Sequence, residues 1–284
     1  MLSLPDPTSH HRVADWVELT VAVTRKPVSR SVVARALEAA TGKDADDSFL
    51  ADVWSDLKMR HKLYHPPRFA IDETAVDAPK KSPSNAEYLT CLFLSLYGAN
   101  ESTPTKLFER MTYSVLMKYL PARAMVFGWP FGKKGGKKTA EQTLLEELVR
   151  TVARDSHERF AEAPSSRFKD RGVDVIGWVP FPDGRSSQIV VLLQCAAGHN
   201  WVDKRAVPLE AWTQYIHWSC KRPVIGFSVP CVIEDHIWHD HAMDKGILFD
   251  RARIINGLSD GVDDHKLASE LRAYVRSQTK NRDE

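Results

Sequence analysis

The stretch RGVDVIGWVPFPDGRSSQIVVLLQCAAGHNW, Arg171 to Trp201, decides the fold because it predicts two strands joined by a tight turn. Such a hairpin is antiparallel and cannot belong to an all-parallel sheet. Helical patterns lie on both sides of it, so the sequence predicts a mixed α/β domain. An acid, Asp174, lies among the apolar residues of the first strand, and an amide, Gln194, follows the apolar run of the second. Polar groups at such positions cost free energy unless a partner satisfies them.

The turn in FPDGR, residues 181–185, sets the register of this hairpin. Pro fits the first turning position, Asp fits the second, and Gly supplies the left-handed residue, which predicts the three-residue loop Pro182–Gly184. An odd loop places Asp174 on the same face of the sheet as Leu192 and Gln194.

Neighbours on one face of a sheet are close enough for a carboxylate and an amide oxygen to share a hydrated divalent cation. Magnesium prefers oxygen ligands and keeps several waters, so it suits such a site. The alternative interpretation is that Asp174 and Gln194 cap strand ends in contact with water.

Composition narrows the class of protein. The chain has 284 residues and a formal net charge of +2, which neither requires nor excludes a nucleic-acid partner. Its four cysteines form no CxxC pair, which favours reduced thiols in a cytoplasmic protein. The first residues lack the pattern of a secretory signal. The longest apolar run has about twelve residues, whereas a membrane-spanning helix needs about 20, so no membrane partner is expected.

The chain divides into two predicted domains. Residues 1–80 carry mainly helical patterns followed by the short stretch HPPRFAIDETAV, which fits either a winged helix that recognises nucleic acid or a plain helical bundle. DAPKKSPSN, residues 77–85, is the predicted linker. Residues 86–284 form the second domain, in which 201–220 is predicted as one helix.

A resemblance covers most of this second domain. The pattern GVDVIGW…IVVLLQC, together with FKDRGVDVIGW, QCAAGHNW and GILFDR, resembles the PD-(D/E)xK, or restriction-endonuclease-like, nuclease superfamily. The similar stretch runs from Leu107 to about Leu258 and resembles a bacterial branch associated with restriction or phage defence. The resemblance implies a mixed sheet flanked by helices and a metal-dependent endonuclease that hydrolyses the phosphodiester bonds of DNA with Mg²⁺ or Mn²⁺.

The resemblance also implies roles for individual residues. Asp174 and Gln194 would bind the metal, and Glu109, in the helical segment KLFERM, would add a further carboxylate. The superfamily usually has a lysine two residues after the Gln, but this chain has Ala196 there. A cation near the metal helps to orient the attacking water, so Lys204 is the predicted catalytic lysine.

Several further residues are candidates for contact with the substrate. His199 is a second candidate for assisting the water, and Trp201 could stack on a base or simply pack. A mobile cationic loop, KKGGKK, could grip a phosphate backbone or have no role. The nucleic-acid-binding residues predicted in this loop are Lys133, Lys134, Lys137 and Lys138.

The segment CVIEDHIWHDHAMDKG has one cysteine and three histidines but lacks paired ligand elements. Structural zinc prefers such pairs, so a solvated loop is predicted instead.

Two functions therefore stay open. The first is a magnesium-dependent endonuclease that acts on DNA rather than RNA, with partner proteins of a defence system and a second copy of the chain, in a homodimer, as its expected partners. The second is a non-catalytic nucleic-acid-binding or assembly protein that retains the nuclease fold. Ala196 favours the second, whereas the joint presence of Glu109, Asp174, Gln194 and Lys204 favours the first.

Overall fold

The computed structural model describes residues 4–79, 86–98, 102–120, 123–127, 148–153, 157–162 and 171–283. Its secondary structure is mixed α/β.

The first part of the chain combines helices with a small antiparallel sheet. Its elements are α1 (His10–Thr24), β1 (Val28–Ser29), α2 (Arg30–Thr41), α3 (Asp47–Leu63), β2 (Ala70–Ile71) and β3 (Ala75–Asp77). The three strands lie in the order β1-β3-β2, and both pairings are antiparallel. The stretch HPPRFAIDETAV therefore contains β2 and the start of β3, which pair as an antiparallel ribbon.

Capping residues explain where α2 begins and ends. The side chain of Ser29 accepts a hydrogen bond from the backbone N–H of Val32, which satisfies one of the free donors at the start of a helix. Gly42 closes the helix with a φ of 69°, in the left-handed region that glycine adopts without strain. Both residues are the start and stop signals that the sequence contains.

The rest of the chain builds the main sheet and its flanking helices. Its helices are α4 (Ala86–Tyr97), α5 (Ser102–Tyr119), α6 (Arg150–Ala153), α7 (Leu209–Tyr215), α8 (Asp235–Lys245), α9 (Arg251–Gly257) and α10 (His265–Asp283). Its strands are β4 (Arg123–Val126), β5 (Arg159–Phe160), β6 (Val175–Val179), β7 (Ile189–Cys195), β8 (Ile216–His217), β9 (Val224–Ser228) and β10 (Ile247–Phe249).

The main sheet has five strands in the order β10-β9-β7-β6-β4. Strands β4, β6 and β7 form an antiparallel meander, whereas β7, β9 and β10 are parallel to one another. A separate ribbon pairs β5 with β8. The prediction of a mixed sheet flanked by helices is therefore confirmed at this level.

Alternation along the strands sends apolar side chains to both faces of the main sheet. Val191 and Leu193 belong to the cluster that contains α4 and α5, whereas Val190 and Leu192 pack with Trp212 of α7 on the opposite face. A sheet covered on both faces carries nearly continuous apolar runs, which is why IVVLLQC shows no apolar–polar alternation.

The predicted hairpin forms, but its loop is longer than expected. Val175 pairs with Leu193 and Val179 pairs with Ile189, so the connection runs from 180 to 188 and the three-residue loop is wrong. The tight turn itself is present, because Gly184 has a φ of 67° and its N–H donates to the carbonyl of Phe181. Pro180 has no N–H to continue the ladder. The paired residue numbers still sum to an even value, as predicted.

Two other local predictions are wrong. Residues 201–220 do not form one helix: α7 covers only Leu209–Tyr215 and starts directly after Pro208. A proline disfavours the helical conformation of the residue before it, so a helix cannot run through this position without strain. The histidine-rich segment is a helix, α8, rather than a solvated loop. It forms because Ile237, Trp238 and Ala242 pack on a buried cluster beside the sheet.

One apolar core joins the two predicted domains. A single cluster contains buried residues of α1 and α3 together with residues of α4, α5, α9 and α10. The predicted linker lies largely outside the described residues, and the division into two domains stays a prediction.

Five buried charged side chains lie at this junction, and we call them the charge network: Asp15, Glu18, Asp56, Arg60 and Arg251. They come from α1, α3 and α9, and each side chain is at most 4% exposed. Arg60 pairs with all three carboxylates, and Arg251 pairs with Asp15 and Glu18. Burial acts to raise the pKa of Asp15, but the positive charges of Arg251 and Arg60 outweigh it and hold that pKa far below its usual value.

Candidate active site

Asp174 lies directly before β6, where the ladder between β6 and β7 ends. Its backbone N–H donates to the carbonyl of Leu193 at 2.9 Å, and its carbonyl accepts from the N–H of Phe127 at 2.6 Å. Its carboxylate accepts a hydrogen bond from the backbone N–H of Cys195 at 2.7 Å. The carboxylate therefore accepts a backbone hydrogen bond that a further strand residue would otherwise accept. This contact fixes it at the end of the sheet where β7 finishes.

Cys195, the last residue of β7, faces α5. Burial raises the pKa of its thiol well above the ordinary value, and the negative charges of Asp174 and Glu109 raise it further. A hydrogen bond with Thr112 acts in the opposite direction. The thiol is thus neutral at physiological pH, and it lies within electrostatic range of both predicted carboxylates.

Glu109 is brought to this point by α5, which packs against β4, β6 and β7. Its side chain is only 3% exposed, and its carboxylate pairs with the ammonium of Lys106 at 2.6 Å. Lys106 itself is 46% exposed, so its ammonium reaches solvent. We call Lys106, Glu109, Asp174 and Cys195 the acid cluster.

Lys106 was missed by the sequence reasoning, although a signal was present. Residues three apart on a helix lie on the same face, so a lysine three positions before Glu109 has to be its neighbour. The expected cation was instead sought on and after β7, where the superfamily pattern places it.

Gln194 lies opposite Asp174 in the register of β6 and β7, but on the other face of β7 from Cys195. Neighbouring residues of a strand point to opposite faces, so Gln194 points away from the face that Cys195 shares with α5. Its carboxamide lies against Gly172, whose φ is 76°; a Cβ built there would be 2.9 Å from Nε2 of Gln194. The buried Oε1 has no hydrogen-bond partner among the residues that the structure describes.

The position of the usual superfamily lysine is apolar. Ala196 is fully buried in a cluster with Phe227, Val229 and Leu248. Lys204 lies in the turn after β7, where its carbonyl accepts a hydrogen bond from the ammonium of Lys245 at 2.7 Å. The backbone of Lys204 is therefore tied to the end of α8, and its role as the catalytic lysine stays a prediction.

His199 and Trp201 line a cavity of about 220 Å³ at the carboxyl ends of β7 and β9. Burial lowers the pKa of His199, and the positive charge of Arg12 lowers it further. The guanidinium of Arg12 lies 3.3 Å from Nε2 of His199. The indole of Trp201 lies 4.9 Å from the His241 ring. The four lysines predicted in the cationic loop, at positions 133, 134, 137 and 138, lie outside the described residues.

A metal ion would have to be held mainly by two carboxylates. Within the described ranges, no group of three or more His, Cys, Asp or Glu side chains is arranged to hold a metal. The donors of Asp174 and Glu109 nevertheless suit magnesium, which prefers carboxylate oxygens and completes its shell with water. Lys106 already places a positive charge against Glu109, which shows that a cation can approach this carboxylate.

Comparison with known proteins gives no relative. No protein-family model, no curated protein and no solved structure matches this chain. None of the helices in the described part of the chain combines the length and apolarity needed to cross a bilayer.

Proposed function

We propose that this chain is a cytoplasmic, magnesium-dependent endonuclease that hydrolyses phosphodiester bonds of DNA. The observation that carries the proposal is the acid cluster: Asp174 and Glu109 both act electrostatically on the Cys195 thiol at the end of β7, and the ammonium of Lys106 pairs with Glu109. Two carboxylates and an ammonium are the groups that phosphodiester hydrolysis with a divalent cation requires.

The arrangement of elements supports the proposal. The helix that carries Glu109 precedes the sheet, and Asp174 and Gln194 lie on neighbouring strands of that sheet. This is the order that the resemblance to restriction-endonuclease-like nucleases implies. The element order of residues 10–77, three helices with a small ribbon, similarly supports a winged helix.

Each residue of the acid cluster has a distinct part in this mechanism. Asp174 accepts a hydrogen bond from the N–H of Cys195, which fixes the orientation of its carboxylate, and together with Glu109 it would hold the ion. When bound, magnesium polarises the phosphate and lowers the pKa of a coordinated water. Lys106 reaches solvent, so its ammonium can orient the attacking water and stabilise negative charge on the phosphate.

Exposed carboxylates on α3 and on the turn between β2 and β3 disfavour phosphate contacts at that part of the surface. The exposed positions of α3 include Asp47 and Asp52, and the turn between β2 and β3 contains Asp72 and Glu73. These carboxylates repel phosphate. DNA would therefore approach from the end of the sheet where the acid cluster lies, and a homodimer or partner proteins of a defence system would supply further contacts.

One observation favours the second candidate function, a nucleic-acid-binding or assembly protein without catalysis. Ala196 is enclosed by apolar side chains and Gln194 points away from Glu109, so neither position contributes to the acid cluster. A domain that has lost these groups could bind nucleic acid and leave it intact.

A nicking assay on supercoiled plasmid decides between the two functions. We expect wild-type protein to nick plasmid in magnesium or manganese and not in EDTA. Asp174→Asn and Glu109→Gln should lower the rate by about 100-fold or more, because each removes a charge that binds the ion. Asp183→Asn, in the exposed turn, is the matched control and should cleave at the wild-type rate.

Two results would contradict the endonuclease. The first is unchanged cleavage by Asp174→Asn and Glu109→Gln, which would indicate a contaminant or a different site. The second is wild-type protein that binds plasmid in a gel-shift assay without nicking it in either metal, which would establish the non-catalytic function.

A further inference from the structure

The cavity at the carboxyl ends of β7 and β9 is separate from the acid cluster but close to it. Its walls come from α1, α3 and α4 and from the segments that follow the two parallel strands. Ala197 lines the cavity and lies two residues beyond Cys195. Two residues of extended chain span about 7 Å, so a strand of nucleic acid held at the acid cluster passes the cavity within one nucleotide.

The size of the cavity fits a planar ring rather than a whole nucleotide. Its volume is about 220 Å³. An apolar cavity of about 150 Å³ accepts benzene, so this cavity has room for a fused two-ring system. Much of its wall is apolar, with Ile233, Val202 and the indole of Trp201 among the lining residues.

The charges around the cavity do not favour an anion. Two arginines, Arg12 and Arg60, are balanced by two carboxylates, Asp15 and Glu234. Arg60 and Asp15 already pair with each other in the charge network. A neutral ligand with both donors and acceptors therefore matches these walls better than a phosphate does.

One donor of a residue that lines the cavity has only a long contact within the protein. Nε of Arg12 is buried and has no hydrogen-bond partner among the described residues, although Asp6 lies 3.5 Å away. Glu234 lines the same cavity, and its carboxylate oxygens, which already pair with His11 and His236, have further lone pairs that can accept. A buried donor without a partner costs free energy, and a ring acceptor of a bound ligand would recover it.

We propose that this cavity binds a single unpaired purine base of the strand held at the acid cluster. The base stacks against Trp201, and its polar edge meets Arg12 and Glu234. This inference rests on the proposed function for the identity of the strand, but the binding of the base itself can be measured without cleavage.

The test measures binding of free nucleosides, which carry no phosphate, by isothermal titration calorimetry on the full chain. We expect adenosine and guanosine to bind and cytidine and uridine to bind at least about fivefold more weakly, because a larger ring stacks over more surface. Trp201→Leu should weaken purine binding about 5- to 100-fold. Trp238→Leu is the matched control, because Trp238 packs in the same cluster but does not line the cavity.

A second variant and a second readout keep the test decisive if Trp201→Leu is poorly folded. Arg12→Gln leaves the apolar walls intact and should weaken purine binding by about fivefold or more. A single-stranded oligonucleotide with one 2-aminopurine should change its fluorescence on binding wild-type protein, and Arg12→Gln should reduce the change. Circular dichroism checks that each variant is folded.

The outcomes separate this inference from the proposed function. Purine binding that depends on Trp201 and Arg12 in a protein that never nicks DNA supports the cavity and removes the endonuclease. Absence of nucleoside binding at millimolar concentration overturns the cavity even if DNA is nicked. Equal loss of binding in Trp201→Leu and Trp238→Leu, with no loss in Arg12→Gln, also overturns it.

Discussion

The charge network and the acid cluster both contain buried carboxylates, but these carboxylates have different partners. In the charge network, Asp15 and Glu18 meet both Arg60 and Arg251, and no member is more than 4% exposed. In the acid cluster, Asp174 is held by a backbone N–H and Glu109 by Lys106, whose side chain is 46% exposed.

This difference indicates which buried charges can take part in a reaction. A carboxylate enclosed by two arginines has its hydrogen-bonding capacity used within the protein. A carboxylate paired with one solvent-reaching ammonium can exchange that partner for a metal ion. Burial of charge alone therefore does not mark a functional site, and the exposure of the partner separates a structural network from a reactive one.

The largest effect is expected from breaking the charge network. Arg251→Met leaves Asp15 and Glu18 buried with one arginine fewer, and such a loss typically costs about 3–5 kcal/mol. Urea unfolding followed by circular dichroism measures the change in the free energy of unfolding. Arg222→Met, which removes an exposed partner of Glu210, is the control and should change it by less than about 1 kcal/mol. Similar values for the two variants would contradict a structural role for the network.

A somewhat smaller effect is expected where the superfamily lysine is missing. Ala196→Lys forces a long charged side chain among Phe227, Val229 and Leu248, and we expect a loss of at least about 2 kcal/mol. Ala51→Lys, on the exposed face of α3, should be nearly neutral. The midpoints of thermal unfolding compare the two. If Ala196→Lys is as stable as wild type and cleaves DNA faster, the lysine reaches the acid cluster and our view of this position is wrong.

Acid should weaken the charge network. Burial acts to raise the pKa of Asp56, but Arg60 and a hydrogen bond from His11 outweigh it, so its pKa lies below the ordinary 3.8. A carboxyl whose pKa is lowered by folding stabilises the fold above its unfolded pKa, and this contribution is lost as the pH falls through the folded value.

Unfolding measured from pH 7 to pH 3 tests this acid dependence. Stability should fall below about pH 4 in wild type, and the fall should be shallower in Asp56→Asn because one titrating group is removed. Asp52→Asn changes a neighbouring exposed acid and should keep the wild-type slope. A steeper slope in Asp56→Asn would reverse the sign that we derive.

The smallest effect is expected at Glu234. Its exposure lies between that of the buried charge network and that of Lys106 in the acid cluster. Glu234 accepts a hydrogen bond from His11 and pairs with His236 at 3.0 Å, and its side chain is 26% exposed. We expect Glu234→Gln to lower the free energy of unfolding by about 0.5–1 kcal/mol. Chemical unfolding in low and high salt measures it, and a loss above about 3 kcal/mol would place Glu234 within the charge network.

The sequence predicted features that depend on neighbouring residues. The caps of α2 at Ser29 and Gly42 and the even register of β6 and β7 follow from local rules. These features need no knowledge of distant parts of the chain. The sequence placed Asp174 within the first strand, whereas the strand begins one residue later, at Val175.

The features that the sequence could not supply depend on contacts between distant segments. Asp15 and Arg251 are 236 residues apart, so no pattern within a window could pair them. Which face of the sheet α5 covers decides that Cys195 rather than Gln194 meets Glu109, and this choice is made by packing. The α8 segment is helical because one side of it is buried against Phe227, although its charged and histidine-rich composition suggested a loop.

The wide separation of Asp15 and Arg251 also affects how the protein is made. A ribosome adds about 5–20 residues per second, so roughly 10–50 s pass between synthesis of these two partners. During that interval the first helix has emerged with two acids whose second counter-charge does not yet exist. The native junction can close only after translation has reached α9, and until then the nascent N-terminal helices depend on Arg60 alone.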